Sequence, residues 1–432
     1  MGMLAAMPQP PSAVSRDEPV IRDRGDACPG ALRLHAADDG YLARVRLPGG
    51  LLTVHQAALL ASAADRFGDG HLELTSRGNV QLRGLGDGCG TALAELLDAA
   101  GLLPAPSHER VRNIVATPAS QDVLPWVREL DRLLCANTRV TALSGRFLFA
   151  LDDGRGDVAA LDPDVTVLGR PGGRALVRLG AAPGAVAVAV RNAPRAALLA
   201  AEYFLDAVEA AGTRAWRVAE LPAGHALDDA GFAARLAAAG TDALRVPAVD
   251  WPSCAPPAPG PRDPLCVLPP FGRLSTGQWR VLVQVAEGGD GLRITPWRTV
   301  VLPGTPDPSP LEAAGLVVSP DSPWRGVTAC TGRPGCAKSL ADVRADARAL
   351  VDRARGPLPV HWSGCERRCG HPRGTQWVDA LATADGYRLS VDGRTLPHRP
   401  DLAAALTAAR DGTARDSAVR KTTSSAQSPK TQ

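Results

Sequence analysis

Four cysteines in the last third of the chain are spaced as a set. Cys330 and Cys336 form a C-x5-C pair in ACTGRPGCAKS, and after 28 intervening residues Cys365 and Cys369 form a C-x3-C pair in HWSGCERRCGHP. Thiolates converging from two loops can hold zinc or a [4Fe–4S] cluster. Paired zinc ligands favour two to four intervening residues, and the five between Cys330 and Cys336 fall outside that habit. Glycine and proline in each loop let the backbone wrap a bulky cube and aim amides at its sulfides. Spacing alone leaves three readings open: cluster, zinc, and unligated thiols. The remaining cysteines, Cys28, Cys89, Cys135, Cys254 and Cys266, read as structural.

The composition bounds what such a site can serve. Nine cysteines among 432 residues do not make a secreted disulfide framework; in a reducing cytoplasm, the expected location, clustered thiols hold metal. A net charge of +3, without a basic run in the body, gives no electrostatic footprint for nucleic acid. No convincing signal peptide opens the chain, and no stretch of about 18 apolar residues suggests a membrane span. Only Lys338, Lys421 and Lys430 are lysines, as a GC-rich genome also produces, so anion sites must be built from guanidinium forks, which suit carboxylates.

The elements that must position these groups recur. GYLARVRLPGG (40–50) alternates like a strand, LTVHQAALLASAADRFG (52–68) has helical periodicity, and GHLELTSRGNVQLRGL (70–85) reads as two strands about Ser76-Arg77-Gly78, before a helix at 89–102. After the Pro-rich linker 255–264, residues 272–304 can be laid on 50–85, with LTSR facing ITPWR. VRNIVATP (111–118) matches WRGVTACT (324–331), and the Ser-Gly of TALSGRF matches that of PVHWSGC. Three matches in one order predict an internal duplication about a pseudo-twofold axis. Arg112 then faces Arg325, Thr117 faces Cys330, and Arg146 faces Cys365. Residues 1–23 and 413–432 have the composition of disordered ends.

The cysteine pattern downstream of a duplicated half resembles the nitrite and sulfite reductase superfamily. RVRLPGG and LTSRGNVQLRG resemble its ferredoxin-like half-domain, and RVRNIVATP its tetrapyrrole-facing loop; the likeness runs from about residue 24 to about 410. It implies an α+β fold with two ferredoxin-like half-domains (24–98, and 255–316 with the linker) and two α/β domains. The first of these (99–254) would face a tetrapyrrole, and the second (317–412) would hold a [4Fe–4S] cluster on Cys330, Cys336, Cys365 and Cys369. Arg77, Arg112 and Arg146 match positions that grip the macrocycle's carboxylates. Asn79 and Gln81, alternating with Arg77, and Asn113, beside Arg112, complete the expected substrate-binding set. A solvated strand face is the competing reading for Arg77.

One departure bears on the chemistry. In the family's K-F-K pattern Arg146 takes the first lysine's place and Leu148 the second's, and a leucine cannot deliver protons to a bound oxyanion. Six-electron sulfite reduction is thereby put in doubt. Chain length, SGCERRCGHP and RITPWRTVVLPG most resemble the superfamily's monooxygenase branch, the precorrin-3B synthases of aerobic cobalamin biosynthesis. That likeness implies precorrin-3A as substrate, hydroxylated at C20 by O2 with γ-lactone formation, and a mononuclear non-haem iron beside the cluster. No 2-His-1-carboxylate spacing points to the iron's ligands; His361 and His371 flank the second cluster loop as candidates, with supporting or surface roles equally open. No catalytic residue is assigned. No Gly-x-Gly-x-x-Gly follows a strand, so electrons from NAD(P)H are expected through a reductase partner. The alternatives are a sirohaem sulfite or nitrite reductase and a non-catalytic iron–sulfur or tetrapyrrole-binding protein.

Overall fold

Two reciprocal capping boxes begin equivalent helices. Thr53 and Gln56 cap Val54–Phe67, and Ser275 and Gln278 cap Thr276–Val285, each hydroxyl accepting from the third helical amide while the glutamine answers the cap amide. The computed structural model describes residues 26, 28–372 and 375–412; the expected disordered ends lie outside them. The two capped helices pack together, and Trp279 Nε1 donates to Ala57 O at 2.8 Å. Ahead of each runs the same turn, Pro48–Gly50 and Pro270–Gly272, with left-handed Gly49 and Phe271 at φ 62° and 60°. A Cβ at Gly50 would meet Ile294 O at 1.9 Å, so only glycine lets the halves approach so closely.

That approach exchanges strands. The first half-domain sheet runs His35–Ala37, Gly40–Val45, Val80–Leu85, His71–Leu74 and then Arg273–Ser275, borrowed from the second half. The second runs Leu265–Val267, Val300–Leu302, Leu292–Ile294 and then Leu51–Leu52, lent by the first. One apolar core lies beneath both sheets, with Leu72, Leu82, Leu274, Trp279, Leu292 and Val300 buried in it. The exchange crosses the expected domain limits at both half-domains.

Each α/β domain has its own core. In the first, Ile114–Ala116, Phe149–Asp152 and Val165–Arg170 run parallel before antiparallel Arg174–Leu179; in the second, Val327–Ala329, Val360–Ser363 and Val378–Thr383 do so before Gly386–Val391. Equivalent backbone bonds fix the correspondence. Phe149 N donates to Asn113 O (3.0 Å) as Val360 N does to Gly326 O (2.8 Å), and Thr117 N donates to Leu151 O (3.1 Å) as Cys330 N does to Trp362 O (3.0 Å). The α+β duplicated architecture is as expected, and Thr117 does face Cys330. The pairing of Arg146 with Cys365 is corrected: Ser-Gly-Arg146 precedes strand Phe149–Asp152, whereas Ser-Gly-Cys365 ends and follows strand Val360–Ser363. By register the residue in the place of Cys365 is Gly154.

Candidate functional site

Alternation along the first half-domain sheet sends Ala43, Val45, Leu72, Leu74, Val80 and Leu82 into the core and their neighbours to the other face. That face carries a cross-strand row, Arg44 opposite Gln81, Gln81 opposite Glu73, and Glu73 opposite Arg273. Arg44 Nη2 donates to Gln81 Oε1 at 2.9 Å, and Glu73 pairs with Arg344 at 2.8 Å, a residue of the second α/β domain. The polar face of the first half therefore lies against the second half's α/β domain. Ala337 N, in the first cysteine loop, donates to Asp38 at 2.8 Å at the same junction.

Several donors on this face have no acceptor. Arg46 is 3% exposed; its Nη2 donates to Pro29 O at 3.2 Å, while Nε and Nη1 are buried without partners. Arg44 Nε and Asn79 Nδ2 are likewise orphaned. Burial, then repulsion from Arg44, holds the Arg46 guanidinium down at about 9, and burial with the charge of Arg217 holds Arg77 at about 10. Native proteins rarely leave such groups unsatisfied, and together they can receive a ligand rich in anionic acceptors.

The expected substrate residues divide. Gln81 and Asn79 belong to the face, and Asn79 Oδ1 also accepts from Leu47 N. Arg77 gives two nitrogens to the carbonyls of Gly145 and Arg146 at 2.8 Å, so it positions the loop carrying Arg146. Asn113 Nδ2 braces the same loop through Arg110 O and Gly145 O, both at 2.9 Å. Arg146 is exposed and lies over the Trp216 ring, 4.7 Å from its centroid. Arg112 is a correction. It is buried in a bidentate pair with Asp131, both contacts 2.7 Å, and its Nη1 turns to Leu102 O; the fork expected to clamp substrate is a strut. Arg44 and Arg46 were missed, although R-V-R-L in RVRLPGG already puts both on one strand face.

The cysteine loops are tied together. Leu340 N donates to Gly364 O at 2.8 Å, and a Cβ at Gly364 would fall 1.8 Å from Ser339 Oγ. Gly364 N donates to Cys330 Sγ at 3.2 Å, an amide aimed at sulfur as a thiolate ligand requires. Cys365 and Cys369 lie near enough to Cys330 for their charge to act on its thiol, which burial chiefly raises. Among the described residues no three or more His, Cys, Asp or Glu side chains close around a point as a single ion's ligands would. The soft donors, glycine-lined loops and amide-to-sulfur bond fit an iron–sulfur group. His361 is fully buried beside these loops, and burial, then the charge of Arg298, pushes it down to about 3, keeping it neutral.

Residues 35–100 match the model of the nitrite/sulfite reductase ferredoxin-like half domain. A precorrin-3B synthase from Sinorhizobium sp. is 27% identical over 395 residues, 86% of this chain and 83% of that protein. A ferredoxin–nitrite reductase from Synechococcus elongatus is 25% identical over 381 residues, 77% and 74% of the two chains. The structure of the Mycobacterium tuberculosis NirA protein superposes with a TM-score of 0.64 at 20% identity, covering 85% of this chain and 79% of that one. The fold is that of the nitrite/sulfite reductases. No helix among the described residues is long and apolar enough to cross a membrane.

Proposed function

From kinship with the nitrite/sulfite reductase superfamily, we propose that the chain is a monooxygenase of the precorrin-3B synthase type, hydroxylating precorrin-3A at C20 with O2 and forming the γ-lactone. The observation that carries this reading is the sheet face where Arg44, Arg46 and Asn79 keep buried N–H groups without acceptors. A tetrapyrrole studded with carboxylates supplies the missing acceptors, and a guanidinium takes each by two charge-assisted bonds. Arg77 and Asn113 hold the Gly145–Arg146 loop at the rim of that face.

Cys330, Cys336, Cys365 and Cys369 would hold the [4Fe–4S] cluster, with the Gly364 amide stabilising the Cys330 thiolate. When bound, the cluster supplies single electrons and a mononuclear iron activates dioxygen. An electron donor reaching the cluster through a reductase completes the requirement. Against the sirohaem reductase alternative stands Leu148, in the place of a proton-delivering lysine. It is buried in an apolar cluster with Val115, Ala150 and Val158, against Trp297, and has no proton to give.

The test is anaerobic purification, then reaction with precorrin-3A and labelled dioxygen. One labelled oxygen atom in a lactone product, from protein without stoichiometric sirohaem, is expected. Stoichiometric sirohaem with sulfite- or nitrite-dependent oxidation of a reduced dye would transfer the chain to the reductases.

A further inference from the structure

We propose that Glu73 and Arg344 couple the tetrapyrrole chamber to the cluster, an inference resting on the tetrapyrrole reading of the sheet face. An anionic macrocycle seated at Arg44 then eases the release of an electron beside Cys330. An unbroken run of hydrogen bonds links the two places. Arg44 Nη2 donates to Gln81 Oε1 at 2.9 Å, and Gln81 Nε2 donates to Glu73 Oε2 at 3.3 Å. The other carboxylate oxygen, Glu73 Oε1, accepts from Arg344 Nη2 at 2.8 Å, and Arg344 Nε donates to Cys330 O at 3.1 Å. The run begins beside the orphaned Nε of Arg44 and ends on the backbone of a cluster ligand.

Each link has one possible polarity. A guanidinium only donates and an ionised carboxylate only accepts, so the Gln81 amide must turn its oxygen to Arg44 and its nitrogen to Glu73. Burial works to raise the Glu73 carboxyl, but the charges of Arg344 and Arg83 hold it below the usual carboxylate range, so it is ionised. Arg83 and Arg273, also near it, have carboxylates of their own, Asp39 at 2.8 Å and Asp69 at 3.0 Å. Arg344 has Glu73. The two side chains are 13% and 14% exposed, so water screens the pair little and a charge added at one end is felt at the other.

A carboxylate on Arg44 cancels part of the positive charge that Gln81 passes on to Glu73. The Glu73 charge is then less compensated, and placing an electron on a cluster beside Cys330 becomes less favourable. Removing that electron becomes easier, so the macrocycle primes its own electron supply. Linkage makes the effect reciprocal: the reduced protein must bind the macrocycle more weakly by the same factor.

The experiment measures the cluster potential of anaerobic, cluster-loaded protein by dye titration, with and without precorrin-3A. On binding, the wild type is expected to lose about tenfold in electron affinity, a fall of about 59 mV for one electron. Arg44→Met, which removes the same charge, should lower the potential without any ligand. In an Arg344→Met background both shifts should shrink to less than about threefold, a non-additivity that a merely structural contact does not produce. If Arg344→Met unseats the cluster, Glu73→Gln takes its place. No shift from Arg44→Met alone, or a shift undiminished when Arg344 or Glu73 is replaced, overturns the coupling. If precorrin-3A fails to bind while the Arg44→Met shift survives, the coupling stands and the substrate reading falls.

Discussion

The two half-domain sheets present the same lattice of positions and opposite chemistry. On the first, Arg44, Gln81, Glu73 and Arg273 stand in a row; in the same register on the second stand Cys266, Val301, Arg293 and Leu51. The second face is dry. Burial pushes the Cys266 thiol up to about 11, so it remains a neutral filler, and Arg293 Nη1 is held by the carbonyls of Pro118 and Ser120. Trp297 occupies the turn position of Arg77 and closes over Leu148. The facing loops differ likewise. Where the second α/β domain has the loops of Cys330 and Cys365, Asp152 fills the equivalent loop of the first, accepting from the amides of Gly154, Gly156, Val158 and Ala159 at 2.8–3.2 Å. Even the bond from Gly364 N to Cys330 Sγ has its counterpart, Asp153 N to Thr117 Oγ1 at 3.3 Å. Duplication made two chambers. In one, Arg293 Nη2 is the donor left buried without a partner; the candidate site is the one where Arg44, Arg46 and Asn79 leave several.

The comparison breaks most sharply at the cysteines. Cys330→Ala or Cys365→Ala should abolish the sulfide-to-iron absorption of anaerobic protein, whereas Thr117→Ala should leave it whole; an unchanged spectrum in both cysteine variants would falsify the cluster assignment. Next in size is Asp152→Ala, which takes the acceptor from the amides of Gly154, Gly156 and Ala159 while Val158 N keeps Asp157, and should lower stability by about 3 kcal/mol in urea unfolding. Arg112→Met should cost about 2 kcal/mol by the same measure, because Asp131 is left beside a buried gap, yet leave tetrapyrrole affinity unchanged. Arg46→Met should do the reverse, weakening precorrin-3A binding by about thirtyfold (about 2 kcal/mol) without loss of apo-protein stability. Equal affinity losses in the two arginine variants would erase the distinction between strut and ligand.

The effect that shows only over a pH window belongs to the first α/β domain. Burial raises the Asp157 carboxyl from 3.8 to about 6. The folded state then holds its proton more tightly than the unfolded chain, so the contribution is full below 3.8 and is lost as pH rises through 6. Asp157→Asn keeps an acceptor for Thr117 Oγ1 but cannot ionise. Relative to the wild type it should gain stability between pH 4 and 6, by at most about 3 kcal/mol, and parallel stability curves would remove this carboxyl from the account.

What the sequence disclosed follows how local each signal is. The alternation at 40–50 and the helical periodicity at 52–68 depend on residues only two to four apart, and strand Gly40–Val45 and helix Val54–Phe67 stand where expected. The cysteine spacing is equally local, and the duplication showed wherever whole strands matched. It misled at Ser-Gly, where two shared residues fall at opposite ends of equivalent strands and only the parallel register separates them. The role of Arg112 was hidden because Asp131 reaches it from a helix elsewhere in the fold. Arg44 and Arg46 were visible as an alternation, but that they lack acceptors is a property of the packed protein alone.

The strand exchange also governs how the nascent chain must be handled. The sheet edge formed by His71–Leu74 is covered by Arg273–Ser275, whose Arg273 pairs with Glu73 some 200 residues earlier in the chain. At about 5–20 residues per second, a ribosome leaves that edge open for about 10–40 s after His71–Leu74 has been synthesised. An uncovered edge offers a row of amides and carbonyls to any passing strand. Synthesis speed across the linker, and whatever shields that edge meanwhile, will therefore set the yield of soluble protein, and codon choice between residues 80 and 273 becomes a practical handle on it.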